Sequence, residues 1–200
     1  MAGTRARTRA PRESFAEKRE RRAAVDDPAV VLEAAARFLE VRSRSVHEVR
    51  RRLGGAGYRT ELVDGAIERM TELGMLDDEV FARAWVESRD RARPRGERAI
   101  RDELRLKGIE RETIDIVLGE RRDRAAEAAS AGEGDDTSPA SADRTAAERL
   151  VAKNARALAR VTDPRQRRQR AYALLARHGF DPETCRDVAS TVVGEPVDEA

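Results

Sequence analysis

Aromatic side chains are scarce. Phe, Trp and Tyr make up 4% of the 200 residues, and Trp85 is the single tryptophan. Large aromatics usually dominate core energetics, so little material exists here for one big globular core. Cysteine is scarcer still. Cys185 stands alone, no internal disulfide can form, and a reducing cytosol fits. No stretch approaches 18 consecutive apolar residues, so no transmembrane span is expected. No segment alternates β-branched and aromatic residues with polar ones, so strands are not expected. The basic run at positions 1–15 is followed by no apolar segment and does not read as a secretory signal.

Catalytic and ligand-binding patterns are also missing. His47 and His178 lie far apart and neither has a partner four residues on, so no metal site is expected. Gly54-Gly55-Ala56-Gly57 lacks the Lys-Ser/Thr of a phosphate-binding loop and reads as a helix end. Cys185 has no nearby base, and no Gly-x-Ser-x-Gly occurs. Asp77-Asp78-Glu79 has the look of a carboxylate cluster, yet acids at a helix start satisfy free amides and complement the dipole. A magnesium-dependent nuclease on those three residues is the enzyme alternative. The expectation is no enzyme and no cofactor.

What the chain has is helix formers and charge. Ala, Arg, Leu and Glu dominate, and charged residues reach 39%. The net charge of +2 hides a segregation. Residues 42–52 hold five arginines against Glu48. Residues 89–107 hold eight basic residues against four acids, and 165–177 hold five arginines and no acid. Residues 125–143 hold five acids and no base. Sorting of this kind presents basic surfaces whatever the total.

A tripled spacing organises the chain: Leu53-x-x-x-Gly57-Tyr58, Leu104-x-x-x-Gly108-Ile109 and Leu175-x-x-x-Gly179-Phe180. Glycine just past a helix end takes the left-handed conformation at little cost. The apolar residue after it folds back onto the residue five before, in the Schellman arrangement. Tyr58 is therefore expected on Leu53, Ile109 on Leu104 and Phe180 on Leu175. A helix follows each turn, with Val63 and Ile67, Ile114 and Leu118, or Cys185 and Ala189 facing inward. Cys185 takes the place of a small buried hydrophobe.

Two more helices precede each turn. In the first copy they are 28–41, opened by Asp27-Pro28, and one starting at a capping box on Ser45 and Glu48. In the second they are 77–91, with Phe81, Trp85 and Ala84 inward, and 95–107 beyond the break at Pro94. In the third they are 142–160 and a helix from Asp163-Pro164 to His178. The fold class expected is all-α: an elongated array of three tandem three-helix repeats, about nine helices. Its parts are a disordered basic arm at 1–26, repeats at 27–75, 76–124 and 142–194, a flexible acidic linker at 125–141 and a tail at 195–200.

The middle helix of each copy carries the basic excess. Aligned along one ridge, three such helices would suit an acidic polymer. The candidate contact residues are Arg50 and Arg51, then Arg89, Arg95, Arg98, Arg101, Arg105 and Lys107, then Arg167, Arg168 and Arg170. Arg98, Arg101 and Arg105 share a face at i, i+3 and i+7. Short turns and arginine-rich helices also permit a helix-turn-helix DNA-binding protein that reads duplex half-sites.

Leu76-Asp77-Asp78-Glu79-x-Phe81-Ala82-x-x-Trp85-x-x-x-Arg89 resembles the start of the central repeat in the bacterial RecX regulatory family. Gly96-x-x-x-Ile100-x-x-Glu103-Leu104-x-x-Lys107-Gly108-Ile109 fits the same pattern. Arg44-Ser45-x-x-Glu48-Val49 with Leu53, Gly57 and Tyr58 resembles its first repeat. The likeness covers about 29–121 closely and 142–193 more loosely. It implies a cytoplasmic modulator of the RecA recombinase, without an active site, that binds the RecA filament on single-stranded DNA; a monomer is the separate expectation. Strand exchange, ATP hydrolysis and co-protease function are the activities it would restrain in DNA recombination and repair. The basic arm and the acidic insert depart from the family pattern.

Overall fold

The computed structural model describes residues 13–131 and 142–192, and every described element is helical. The helices fall into two units, one ending at Asp77 and one beginning at Asp78.

The first unit contains α1 (Phe15–Ala23), α2 (Pro28–Leu39), α3 (Val46–Ala56) and α4 (Thr60–Glu72). Asp27 accepts the Ala29 N–H, with Pro28 in the first helical position. Ser45 and Glu48 form the reciprocal capping box, and Ser45 is fully buried. Apolar residues at helical spacing then meet: Val31 and Ala35 from α2, Val49 and Leu53 from α3, Val63, Ile67 and Met70 from α4.

The second unit contains α5 (Asp78–Ala92), α6 (Glu97–Leu106), α7 (Arg111–Ala131), α8 (Ala142–Lys153), α9 (Ala155–Ala159), α10 (Pro164–Arg177) and α11 (Pro182–Thr191). Phe81, Ala82 and Val86 pack with Ile100, Leu104, Ile109, Ile114 and Leu118. A second core joins Ala147 and Leu150 to Leu175, Phe180, Cys185 and Val188. Cys185 is fully buried, as a small hydrophobe would be. Ala84 is exposed; Ala82 takes the inward place beside Phe81.

All three glycine turns close as the spacing predicts. Gly57, Gly108 and Gly179 have φ of 105°, 76° and 80°. The Tyr58 N–H donates to Leu53 O at 3.3 Å, Ile109 to Leu104 at 3.1 Å and Phe180 to Leu175 at 3.4 Å. Gly74 makes a fourth such turn, with the Met75 N–H on Met70 O at 2.9 Å.

Three expectations need correction. Eleven helices are described rather than about nine. One extra element is α1, inside the stretch read as a disordered arm. Ser14 and Glu17 form a second capping box, and the Arg22 guanidinium lies 5.7 Å from the Tyr58 ring centroid. The Arg19 backbone sits where a Cβ on Gly57 would approach it to 2.8 Å, so only glycine admits the helix. The other extra element arises at Asn154. Its Nδ2 donates to Leu150 O at 2.8 Å while its own N–H turns to Val151 O, which splits the helix expected over 142–160. Third, the stretch read as a linker from 125 is helical through Ala131, because Ala125, Ala126, Ala128 and Ala129 are strong helix formers. The rest of that linker (132–141), positions 1–12 of the arm and the tail at 195–200 lie outside the described residues.

In the second unit the central and third repeats are clasped together by a buried cation. Arg121 on α7 is 3% exposed. Its Nη2 donates to Asp90 of α5 at 2.9 Å and its Nη1 to Asp143 of α8 at 2.6 Å. Burial alone would lower the Arg121 pKa; the hydrogen bonds and charges of Asp90 and Asp143 outweigh it and leave it raised. Asp143 also accepts the Glu97 N–H at 2.9 Å, so α8 caps the start of α6 from another repeat. Lys153 Nζ donates to Ala92 O at 2.9 Å and does the same for the end of α5. Beside this clasp, the Gly96 N–H donates to His178 O at 3.0 Å.

Candidate functional site

The helices place the eleven candidate basic residues in three kinds of environment. Some are already held by carboxylates. Arg101 donates to Glu97 at 3.2 Å and to Asp115 of α7, which stiffens one side of α6. The Arg101 hydrogen bond, with the Arg101 charge behind it, holds the Asp115 carboxyl below its usual range. Arg105 pairs with Asp102 at 3.3 Å, and Arg50 on α3 pairs with Asp64 on α4 at 3.1 Å. Pairs as exposed as these last two are worth about 0–1 kcal/mol, so an incoming anion can displace them.

A second group surrounds Trp85. Its indole Nε1 donates to Glu103 Oε2 at 2.8 Å, and Arg89 Nε donates to the same oxygen at 2.6 Å. The Arg89 guanidinium lies 4.2 Å from the Trp85 ring centroid and Lys107 Nζ lies 4.1 Å from it. Arg95 stands 3.7 Å from the other Glu103 oxygen. The indole is thus flanked by two cations and tied at its edge, which fixes Arg89 and Lys107 in space. Cation–π contacts of this kind contribute about 0.5–2 kcal/mol each.

The third group is open to solvent. Arg51 on α3, Arg98 on α6 and Arg168 and Arg170 on α10 are exposed and have no ion-pair partner among the described residues. Arg167 beside them donates to Val161 O at 3.0 Å. In the second unit the start of α6 abuts the end of α10, through Gly96 and His178. Arg168 lies ten residues before His178 on α10, so it stands about 15 Å away along the helix axis.

The spacing Trp85-x-x-x-Arg89 sets both side chains on one face of α5, a signal for their ring–cation contact that the sequence reading did not use. Glu103, which ties the cluster together, stands in the family pattern, but nothing in the sequence linked it to Trp85 and Arg89. Asp143 was counted with the acidic insert, yet it belongs to the clasp. Among the described residues no three His, Cys, Asp or Glu side chains gather to hold a metal ion, and no helix is long and apolar enough to cross a membrane.

Comparison with known proteins is consistent along the chain. Residues 32–70 match the RecX first three-helix domain, 77–118 the second and 142–188 the third. The regulatory protein RecX of Mycolicibacterium vanbaalenii is 33% identical over 160 residues, 77% of each chain. That of Mycolicibacterium smegmatis is 33% identical over 157 residues, covering 77% of this chain and 74% of the relative. A crystal structure of RecX from Lactobacillus salivarius superposes with a TM-score of 0.64 at 17% identity, covering 84% of this chain and 97% of that one. A second RecX crystal structure gives 0.64 at 19% identity, covering 82% and 73%. These two show the shared fold. With three domains matched in order and relatives of this identity over most of their length, the chain belongs to the RecX family of regulatory proteins.

Proposed function

We propose that this protein is a cytoplasmic, monomeric, non-enzymatic regulator that binds the RecA filament on single-stranded DNA. It restrains the filament's recombinase, ATPase and co-protease activities. The observation that carries this reading is the match of all three repeats, in order, to the three RecX domains. The basic side chains of α3, α6 and α10 supply the contacts, to DNA phosphates, to acidic filament surface or to both. Arg51, Arg98, Arg168 and Arg170 lead, because they give up no internal ion pair. Arg50, Arg89, Arg95, Arg101, Arg105, Lys107 and Arg167 shape the surface around them.

The test is RecA ATP hydrolysis on single-stranded DNA with the protein titrated in. Turnover is expected to fall as the protein is added, and unchanged turnover at excess protein refutes the reading. The variant R98E/R168E/R170E is expected to inhibit more weakly while keeping its helical circular dichroism. Arg101 is unsuitable for charge reversal, since replacing it breaks its pairs with Asp115 and Glu97. Gel shifts with and without RecA address a helix-turn-helix protein acting alone. Sequence-specific duplex binding without RecA would replace the proposal with that one.

A further inference from the structure

A cleft in the first unit, between α1, α2 and α3, has a chemistry of its own. It measures about 790 Å3, and Arg22, Arg37, Arg42, Arg44, Arg51 and Arg52 line it with one carboxylate, Glu48. Two of these arginines are occupied: Arg37 pairs with Glu33 at 2.5 Å, and Arg42 with Glu48 at 3.4 Å. Arg44, Arg51 and Arg52 have no ion-pair partner among the described residues. The guanidinium of Arg44 lies 4.3 Å from the Phe38 ring centroid and that of Arg52 lies 5.7 Å from it. Two planar forks are therefore held around one ring, facing a common space. Arg44 Nε is sealed from solvent and meets no acceptor. Burial and then the charges of Arg42 and Arg52 lower the Arg44 pKa, with Glu48 opposing them only in part. At the rim Phe15 is 71% exposed.

We propose that this cleft binds a nucleotide unit, with Arg44, Arg51 and Arg52 on its phosphate oxygens and Phe15 stacked on its base. A single peptide carboxylate offers two oxygens and saturates one guanidinium fork; a phosphate offers more and suits several. The volume admits a base as well as a phosphate, and an exposed ring is a stacking platform for any base. A duplex keeps its bases paired and leaves none for Phe15, so the unit is a free nucleotide or a position in a single strand. The site shares Arg51 with the RecA reading but does not depend on it, and it is tested without RecA.

The full chain is titrated against a fluorescent single-stranded oligo(dT), against a fluorescent ATP analogue and against a labelled acidic peptide. Both nucleotide probes share the chemistry; whichever binds more tightly identifies the source. If three phosphate contacts form on a strand, log affinity falls against log salt with a slope of about −2. In R51E/R52E the slope should flatten by about 1.4 units. F15A should weaken binding at least about fivefold, the loss of one base stack. All three side chains are exposed, and circular dichroism verifies that the variants keep the fold. R156E/R160E, exposed in the other unit and outside the proposed contact surface, should leave binding unchanged. Binding of R51E/R52E within about twofold of the parent overturns the proposal. So does an equal loss in R156E/R160E, or binding of the acidic peptide as tightly as either nucleotide probe.

Discussion

Replacing Arg121 with alanine should destabilise the second unit by about 3 kcal/mol. The side chain is buried, and its removal strands two carboxylates at once. Asp143 keeps only the Glu97 N–H, and its side chain is 16% exposed, so water relieves it little. Asp90 is 27% exposed and recovers more of its hydration. Breaking a buried ion pair from one side costs about 3–5 kcal/mol, and the partial exposure of Asp90 places this case at the low end. At about 4 °C per kcal/mol for a unit of this size, the melting midpoint should drop by roughly 12 °C. The decisive companion is R121M/D90N/D143N. It removes every charge of the clasp, and the amide oxygen introduced by D143N can still accept the Glu97 N–H. Most of the lost stability should return, because an apolar isostere of a buried ion pair is often neutral or better. Urea denaturation followed by circular dichroism measures both. A loss below about 1 kcal/mol in the single variant would refute the clasp. A triple variant less stable than the single one would refute it equally.

Two further outcomes follow from the same geometry. Gly96→Ala places a Cβ 2.2 Å from Gly179 O, against backbone that cannot yield, so a loss of at least about 3 kcal/mol is expected; an unchanged denaturation midpoint would contradict the close approach. Stability should also fall in acid. Hydrogen bonds from Arg101 lower the Asp115 pKa, and those from Arg83 lower that of Glu120. At Asp181 burial pulls the other way, but the Thr184 hydroxyl and the Thr184 and Glu183 amides prevail and lower it. Depressed carboxylates stabilise above their unfolded values and lose that contribution as pH falls through the folded ones. Glu13 and Glu17 are lowered as well, so Asp143, raised by burial against the Glu97 N–H and Arg121, opposes the trend as one group against five. Melting midpoints should decline below about pH 4, and a flat or rising profile there would refute the sign.

The local physics of the fold was legible in the sequence. Leu-x-x-x-Gly-apolar states a helix end, a left-handed residue and a fold-back contact within six positions. Asp-Pro and Ser-x-x-Glu state a helix start just as locally. The missed helix α1 carried such a box at Ser14 and Glu17, but without an apolar period its docking on Gly57 had no trace. Arg121, Asp90 and Asp143 are spread over more than fifty positions, and each looks like an ordinary solvated charge. Only packing makes them one site. The candidate interface divides the same way. That α3, α6 and α10 are basic could be read directly, whereas which arginines are spoken for depends on Asp64, Asp115 and Glu103 from other turns of the fold.

The Arg121 clasp frees the stretch that joins the second and third repeats. Past Arg121, α7 runs on for ten residues, about 15 Å, before the chain returns to Asp143. Ten residues, 132–141, lie between, and a chain of that length reaches at most about 33 Å. Since side chains rather than the tether fix the docking, doubling that tether adds only about 0.6 kcal/mol of closure entropy. Length and composition there can drift, or accept a grafted tag, while the pair of repeats it joins stays in register.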